Sequence, residues 1–162
     1  MTPNLCDAAR CAIETNDFGA WAGLPPECNT EALFGISFDE QWGMQKLGNT
    51  FQPARTHLLE LADYYRPLAY VRDGHLIMFD GMPDPVDGSW GALAASLGTA
   101  DAIYDWELTF PIPRGEHVYA SRGITVWVNP GRDLIVYVTV YAATTVDDYV
   151  KRLRPSREKR MK

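Results

Sequence analysis

Hydrophobic and polar side chains alternate most regularly near the C-terminal end of the chain. Residues 134–141 place alternate side chains on two faces: Leu134, Val136, Val138 and Val140 on one, and Ile135, Tyr137, Thr139 and Tyr141 on the other. Residues 124–128 repeat the pattern, with Ile124, Val126 and Val128 opposite Thr125 and Trp127. We therefore predict two β-strands whose aliphatic face forms the core beneath the helices.

Further strands and helices follow from turn and capping residues. Arg72-Asp73-Gly74 and Ser121-Arg122-Gly123 predict hairpins that join residues 68–71 to 75–79 and residues 117–120 to 124–128. Residues 101–110 are expected to be extended. Capping residues and apolar spacing predict helices over residues 7–14, 31–34, 40–47, 90–97 and 146–153. Gly98 ends the fourth of these helices.

An internal repeat organises these elements. The pairs Trp42/Trp90, Leu47/Leu97, Gly48/Gly98 and Tyr70/Tyr119 recur at a separation of 48 to 50 residues. The repeat predicts an α+β domain over residues 1–154, built of two similar helix–hairpin units at about 21–83 and 84–150. Together they form one antiparallel sheet with the helices on one face. Residues 155–162 are expected to be a frayed basic tail.

Composition and charge restrict the function. The chain has 162 residues, of which 46% are hydrophobic and 22% charged, as in one folded domain. No apolar run is long enough to span a membrane. Residues 1–150 carry 8 Lys or Arg and 20 Asp or Glu, whereas residues 151–162 carry seven basic residues and Glu158. The acidic body is unsuited to nucleic acid and attracts a partner with a basic patch. The basic end over residues 151–162 has three interpretations: a solvated helix end, a nucleic-acid arm, or a segment that docks on the acidic body.

The three cysteines indicate a reduced setting. Because Cys6, Cys11 and Cys28 are odd in number, they cannot all pair within one chain. The first residues lack the positive and apolar regions of a secretory signal, so we expect a cytoplasmic protein. In an exported protein, Cys6 and Cys11 could pair. No metal or cofactor is predicted, since the spacing of Cys and His suits neither.

The repeat carries a resemblance to a known fold. Leu47-Gly48 and Leu97-Gly98, each followed by strand-forming segments, resemble the β-lactamase-inhibitor-protein fold and its small outer-membrane lipoprotein relatives over about residues 28–141. This resemblance implies a concave two-unit sheet that grips another protein.

The polar and aromatic strand face is the candidate binding surface. Thr125, Trp127, Tyr137 and Tyr141 share it, and the same phase adds Met78. Aromatic and Met side chains are common at binding surfaces. The leading hypothesis is therefore a non-catalytic protein-binding protein: an inhibitor, immunity-type or adaptor protein. In competing interpretations, a loop or the N-terminal segment covers this face, or a second copy does, in which case the sheet is a structural element that dimerises.

Candidate catalytic chemistry rests on histidines. The sequence lacks Gly-x-Ser-x-Gly, phosphate-loop and His-Glu-x-x-His motifs. His57 is expected on a helix surface, whereas His75 and His117 both lie at hairpins. The alternative function is a small enzyme, or an enzyme accessory subunit, with His75 or His117 in a cleft between the two units.

Overall fold

A computed structural model gives the fold. It describes residues 4–15, 17–34, 44–47, 50–55, 64–72, 75–83, 90–106, 114–129, 131 and 133–154. Trp42, Gly48, His57 and the tail over 155–162, on which expectations were placed, lie outside the described residues.

The described elements comprise helices and eight strands. The helices are α1 Leu5–Thr15, α2 Thr30–Phe34, α3 Trp90–Leu97 and α4 Val146–Asp148, which continues as a π-helical segment, Tyr149–Leu153. A 3-10 turn occupies Ala120–Arg122. The strands are β1 Met44–Leu47, β2 Thr50–Arg55, β3 Tyr64–Arg72, β4 His75–Pro83, β5 Ala102–Trp106, β6 Arg114–Tyr119, β7 Ile124–Asn129 and β8 Leu134–Tyr141. We call residues 146–153 the C-terminal helix.

The strands form one antiparallel sheet in the order β1-β2-β3-β4-β8-β7-β6-β5. Each half is a four-stranded meander, and the last strands of the two halves, β4 and β8, pair at the centre. β5 therefore lies at one edge of the sheet. The predicted antiparallel α+β architecture is confirmed.

The first three helices cover one face of the sheet. Ile13 of α1, Leu33 of α2 and Leu97 of α3 are buried in the same cluster as Val126 and Val138. Helix ends follow the capping residues: the Asn29 side chain accepts a hydrogen bond from the Ala32 amide at 2.8 Å. This cluster is the main core.

A disulfide fixes the N-terminal helix to the following segment. It joins Cys6 to Cys28, and both residues are buried. Cys11 is free and exposed, because it lies on the outer side of α1. The expected alternative pairing of Cys6 with Cys11 is therefore wrong.

The C-terminal helix packs on the opposite face of the sheet. Tyr149 is buried in a second cluster with Tyr70, Met78 and Tyr141, and Leu153 packs against it. The expectation that all helices share one face is wrong for this helix. The strand face that carries polar and aromatic side chains is therefore a second core beneath this helix.

A β-bulge changes which side chains share a face in β8. Trp127 pairs with Tyr137, but Val128 pairs with Ile135, so one extra residue enters β8. Ile135 consequently lies in the main core, whereas Val136 packs with Trp127 on the other face. The predicted orientation holds for Val138 and Val140 and is reversed for Ile135 and Val136.

Of the residue pairs of the repeat, the two whose members are both described, Leu47/Leu97 and Tyr70/Tyr119, do not occupy equivalent places. Leu47 ends a strand, whereas Leu97 ends a helix. Tyr70 lies in the second cluster and Tyr119 in the main core, on the opposite face of the sheet. The similarity between the halves is one of strand order and not of these matched residues.

Candidate functional site

The predicted binding face is inside the protein. Thr125, Tyr141 and Met78 are buried, and Trp127 is only 1% exposed. Their polar atoms bind one another: the Tyr141 hydroxyl hydrogen-bonds with Thr125 Oγ1 at 2.8 Å, and Trp127 Nε1 donates to Thr139 Oγ1 at 3.3 Å. Burial raises the pKa of the Tyr141 hydroxyl. These four side chains therefore form no open surface. The side chain of Tyr137, the fifth predicted binding residue, is not among those that the structure describes.

A buried carboxylate holds the C-terminal helix against the sheet. Glu116 is completely buried and accepts a hydrogen bond from the Tyr149 hydroxyl at 2.7 Å. Arg154 donates to both Glu116 oxygens through Nε, at 2.9 and 3.1 Å. Its guanidinium also lies 4.1 Å from the centre of the Tyr104 ring. Arg154, which belongs to the basic end over residues 151–162, is thus part of the folded structure.

The two candidate histidines are far apart. His75 begins β4, while His117 lies in β6, so β8 and β7 separate their strands. Three strand spacings correspond to roughly 14 Å. His117 packs on the Trp90 ring, with ring centres 4.6 Å apart, and burial lowers its pKa, partly offset by Asp105. The groove that His75 lines does not include His117.

His75 lines a groove where the two halves of the sheet meet. The groove has a volume of about 510 Å³ and lies between the start of β4, the end of β8 and the C-terminal helix. Its floor is apolar, and its polar lining residues are His75, Thr144, Asp148 and Arg152. A volume of this size suits a small amphipathic ligand or an apolar side chain of a partner.

The edge strand β5 offers a different surface. Ile103 is 60% exposed, the largest fraction among the exposed large hydrophobic residues described. It lies opposite His117 of β6, on the same face as Trp90. β5 pairs only with β6 in the described part of the chain, so alternate backbone amides and carbonyls point away from the sheet.

Two exposed carboxylates flank Ile103 along the chain. Asp105 lies two residues after it in β5 and shares its face through the period of two, and Asp101 lies two residues before it, directly ahead of the strand. Asp101 Oδ2 accepts hydrogen bonds from the Ser121 amide and hydroxyl, each at 2.8 Å, which leaves Oδ1 able to accept more. We call Asp101, Ile103 and Asp105 the β5 stripe.

Sequence reasoning missed the β5 stripe, although its pattern is visible. Asp-x-Ile-x-Asp indicates an apolar side chain between two acids on one strand face. The sequence pattern does not predict the strand order, and it is the strand order that places this segment at an edge.

Other kinds of site find no support in the described part of the chain. No three His, Cys, Asp or Glu side chains there lie close enough together to hold a metal ion. Likewise, no described helix has the length and apolar character required to cross a bilayer. No protein-family model, curated protein or solved structure matches this chain.

Proposed function

We propose that the chain is a non-catalytic protein-binding protein that uses the β5 stripe to hold a partner with a basic patch. The observation that carries the proposal is the exposure of Ile103, 60%, between two carboxylates on a strand edge with which no described strand pairs. An apolar anchor surrounded by charge is the usual composition of a specific interface.

Charge supports a basic partner. Residues 1–150 have a net charge of −12, and Asp105 forms no hydrogen bond or salt bridge with a described residue. Such a surface speeds the encounter with a positively charged protein and slows the encounter with an acidic one. The binding should therefore weaken as salt is added.

The buried aromatic residues have a supporting role in this proposal. Tyr141 stacks on Tyr149 of the C-terminal helix, and Trp127 is buried against Val136 of the neighbouring strand, so the partner contacts the edge instead. In this proposal, two units that each contain helices and a four-stranded meander support the β5 edge. The proposed resemblance to β-lactamase-inhibitor-type proteins then concerns the order of the elements and not the binding surface. The Cys6–Cys28 disulfide favours an oxidising compartment over the expected cytoplasm.

Selection from a phage library of random peptides tests the proposal. Peptides enriched on the wild-type protein should be rich in Lys and Arg and contain an apolar residue. Ile103→Asp should lose them, whereas Leu5→Asp should keep them, because Leu5 is 55% exposed on α1, away from the edge. Enrichment of acidic peptides, or the same peptides on Ile103→Asp, would refute this function.

The groove that contains His75 favours a second candidate, the binding of a small amphipathic ligand. Its apolar floor lies beside His75, Asp148 and Arg152, of which the Arg152 guanidinium suits an anionic group. Anilinonaphthalene sulfonate, which combines aromatic rings with a sulfonate, is a suitable fluorescent probe. Ala142→Glu should abolish its fluorescence gain by filling the groove and repelling the sulfonate, whereas Ala95→Glu on the exposed side of α3 should not. Equal fluorescence from both variants would refute this candidate.

A further inference from the structure

We propose that the partner binds by strand addition: an extended segment pairs with β5 as a ninth strand and carries the pattern basic–x–apolar–x–basic. This inference rests on the proposed function and specifies how the β5 stripe is used. Main-chain hydrogen bonds to the open edge would provide affinity, and alternate side chains would provide specificity.

The pattern follows from cross-strand pairing. In an antiparallel pair, directly opposite side chains are close neighbours, and opposite charges stabilise the pair. A residue opposite Ile103 should be apolar, and the residues two positions before and after it lie opposite Asp101 and Asp105. Lys or Arg at those two positions satisfies both carboxylates.

The other face of the incoming strand meets different chemistry. Ala102 and Tyr104 point to the side of the C-terminal helix and are half-buried. There the Arg154 guanidinium already lies 4.1 Å from the centre of the Tyr104 ring. Because the Glu116 carboxylate on this face is already paired with Arg154, we expect the positive residues on the other face of the partner strand, opposite Asp101 and Asp105.

A second copy of this chain is a poor occupant of the edge. Antiparallel pairing of two β5 strands about Ile103 would place Asp101 opposite Asp105 of the other copy, and the reverse. Two like-charge pairs at directly opposite positions are destabilising. The charges thus disfavour self-association, a device by which edge strands avoid aggregation.

The test uses synthetic peptides with the core Lys-Thr-Val-Thr-Arg and isotope-labelled full-length protein. Nuclear magnetic resonance shifts should be concentrated at the amides of Ala102–Trp106. Replacing both basic residues by Glu should weaken binding by about tenfold or more. Ile103→Asp should have a similar effect, whereas Leu5→Asp should leave the affinity unchanged.

N-methylation distinguishes strand addition from simple charge attraction. In one methylated peptide the first, third and fifth amides are blocked, and in the other the second and fourth. Because alternate amides of a strand point in opposite directions, one series should bind like the parent peptide, and the other should lose binding.

Each remaining outcome decides a separate question. If both methylated series bind equally and only charge matters, strand addition is wrong while the proposed function stands. If the parent peptide does not bind and the phage selection yields no basic peptides, both fail. Dimerisation that Ile103→Asp abolishes, seen by sedimentation without any peptide, would identify the second copy as the occupant and overturn the inference.

Discussion

Arg154 Nη2 lies 2.8 Å from Glu116 Oε2, and the Glu116 side chain is entirely buried. The pair connects the residue that follows the C-terminal helix to a strand near the β5 edge. The Tyr149 hydroxyl binds the other carboxylate oxygen at 2.7 Å. One carboxylate therefore holds the helix that closes the second core.

Removal of the Arg154 guanidinium should destabilise the protein strongly. Arg154→Ala removes this cation from the buried Glu116 carboxylate, and breaking a buried ion pair costs about 3–5 kcal/mol. Arg152→Ala is the matched control, because Arg152 is exposed and two residues away. Urea unfolding measures both variants. Equal free energies of unfolding would show that the ion pair does not hold the helix.

Truncation of either face of the sheet should destabilise the fold. Trp127→Ala should cost about 3–5 kcal/mol, since Trp127 is buried against Val136 on the face opposite the main core. Val138→Ala should cost about 1–3 kcal/mol through lost burial in the main core. Ile103→Ala is the control and should change stability by less than about 0.5 kcal/mol, because Ile103 is exposed. A neutral Trp127→Ala would mean that this face is open after all.

The alternation of hydrophobic and polar residues predicted the strands and helices well where turn and capping residues marked their ends. β8 spans the predicted residues 134–141, and α3 spans the predicted 90–97. The bulge beside Trp127 was not predictable from alternation, since a period of two contains no information on an extra residue. The predicted helix over 40–47 is a strand at Met44–Leu47, because pairing with β2 overrides helical propensity.

The site was less predictable than the fold. Alternation correctly placed Thr125 and Trp127 on one face but could not tell what covers that face. Covering depends on Tyr149 and Glu116, which are 33 residues apart in sequence. The exposure of Ile103 likewise depends on the order of strands, which no local pattern encodes.

The disulfide should stabilise the protein, and Cys11 should not matter. Cys6 and Cys28 are 22 residues apart, a loop whose closure is worth about 3 kcal/mol in the chain-entropy model. The double variant Cys6→Ser, Cys28→Ser should lose about this free energy of unfolding, whereas Cys11→Ser should be close to neutral. Thiol titration of the unfolded, non-reduced protein should give one reactive thiol. Three reactive thiols would contradict the pairing.

Two buried tyrosines should make the fold sensitive to high pH. Burial raises the pKa of both Tyr141 and Tyr149, and the nearby Glu116 raises each further. The folded state thus keeps their protons more tightly than the unfolded state does. Their stabilisation is fully present below the unfolded pKa of about 10 and is lost as the pH rises above it.

The slope of stability against pH measures this effect. Above about pH 10, each tyrosine should remove about 1.4 kcal/mol per pH unit. The Tyr141→Phe, Tyr149→Phe double variant should be less stable at neutral pH, because it lacks the hydrogen bonds to Thr125 and Glu116. Its free energy of unfolding should nevertheless fall less steeply with pH than that of the wild type. Groups that titrate in both proteins cancel in the comparison. Parallel declines in the two proteins would show that neither tyrosine is held in its protonated form by burial.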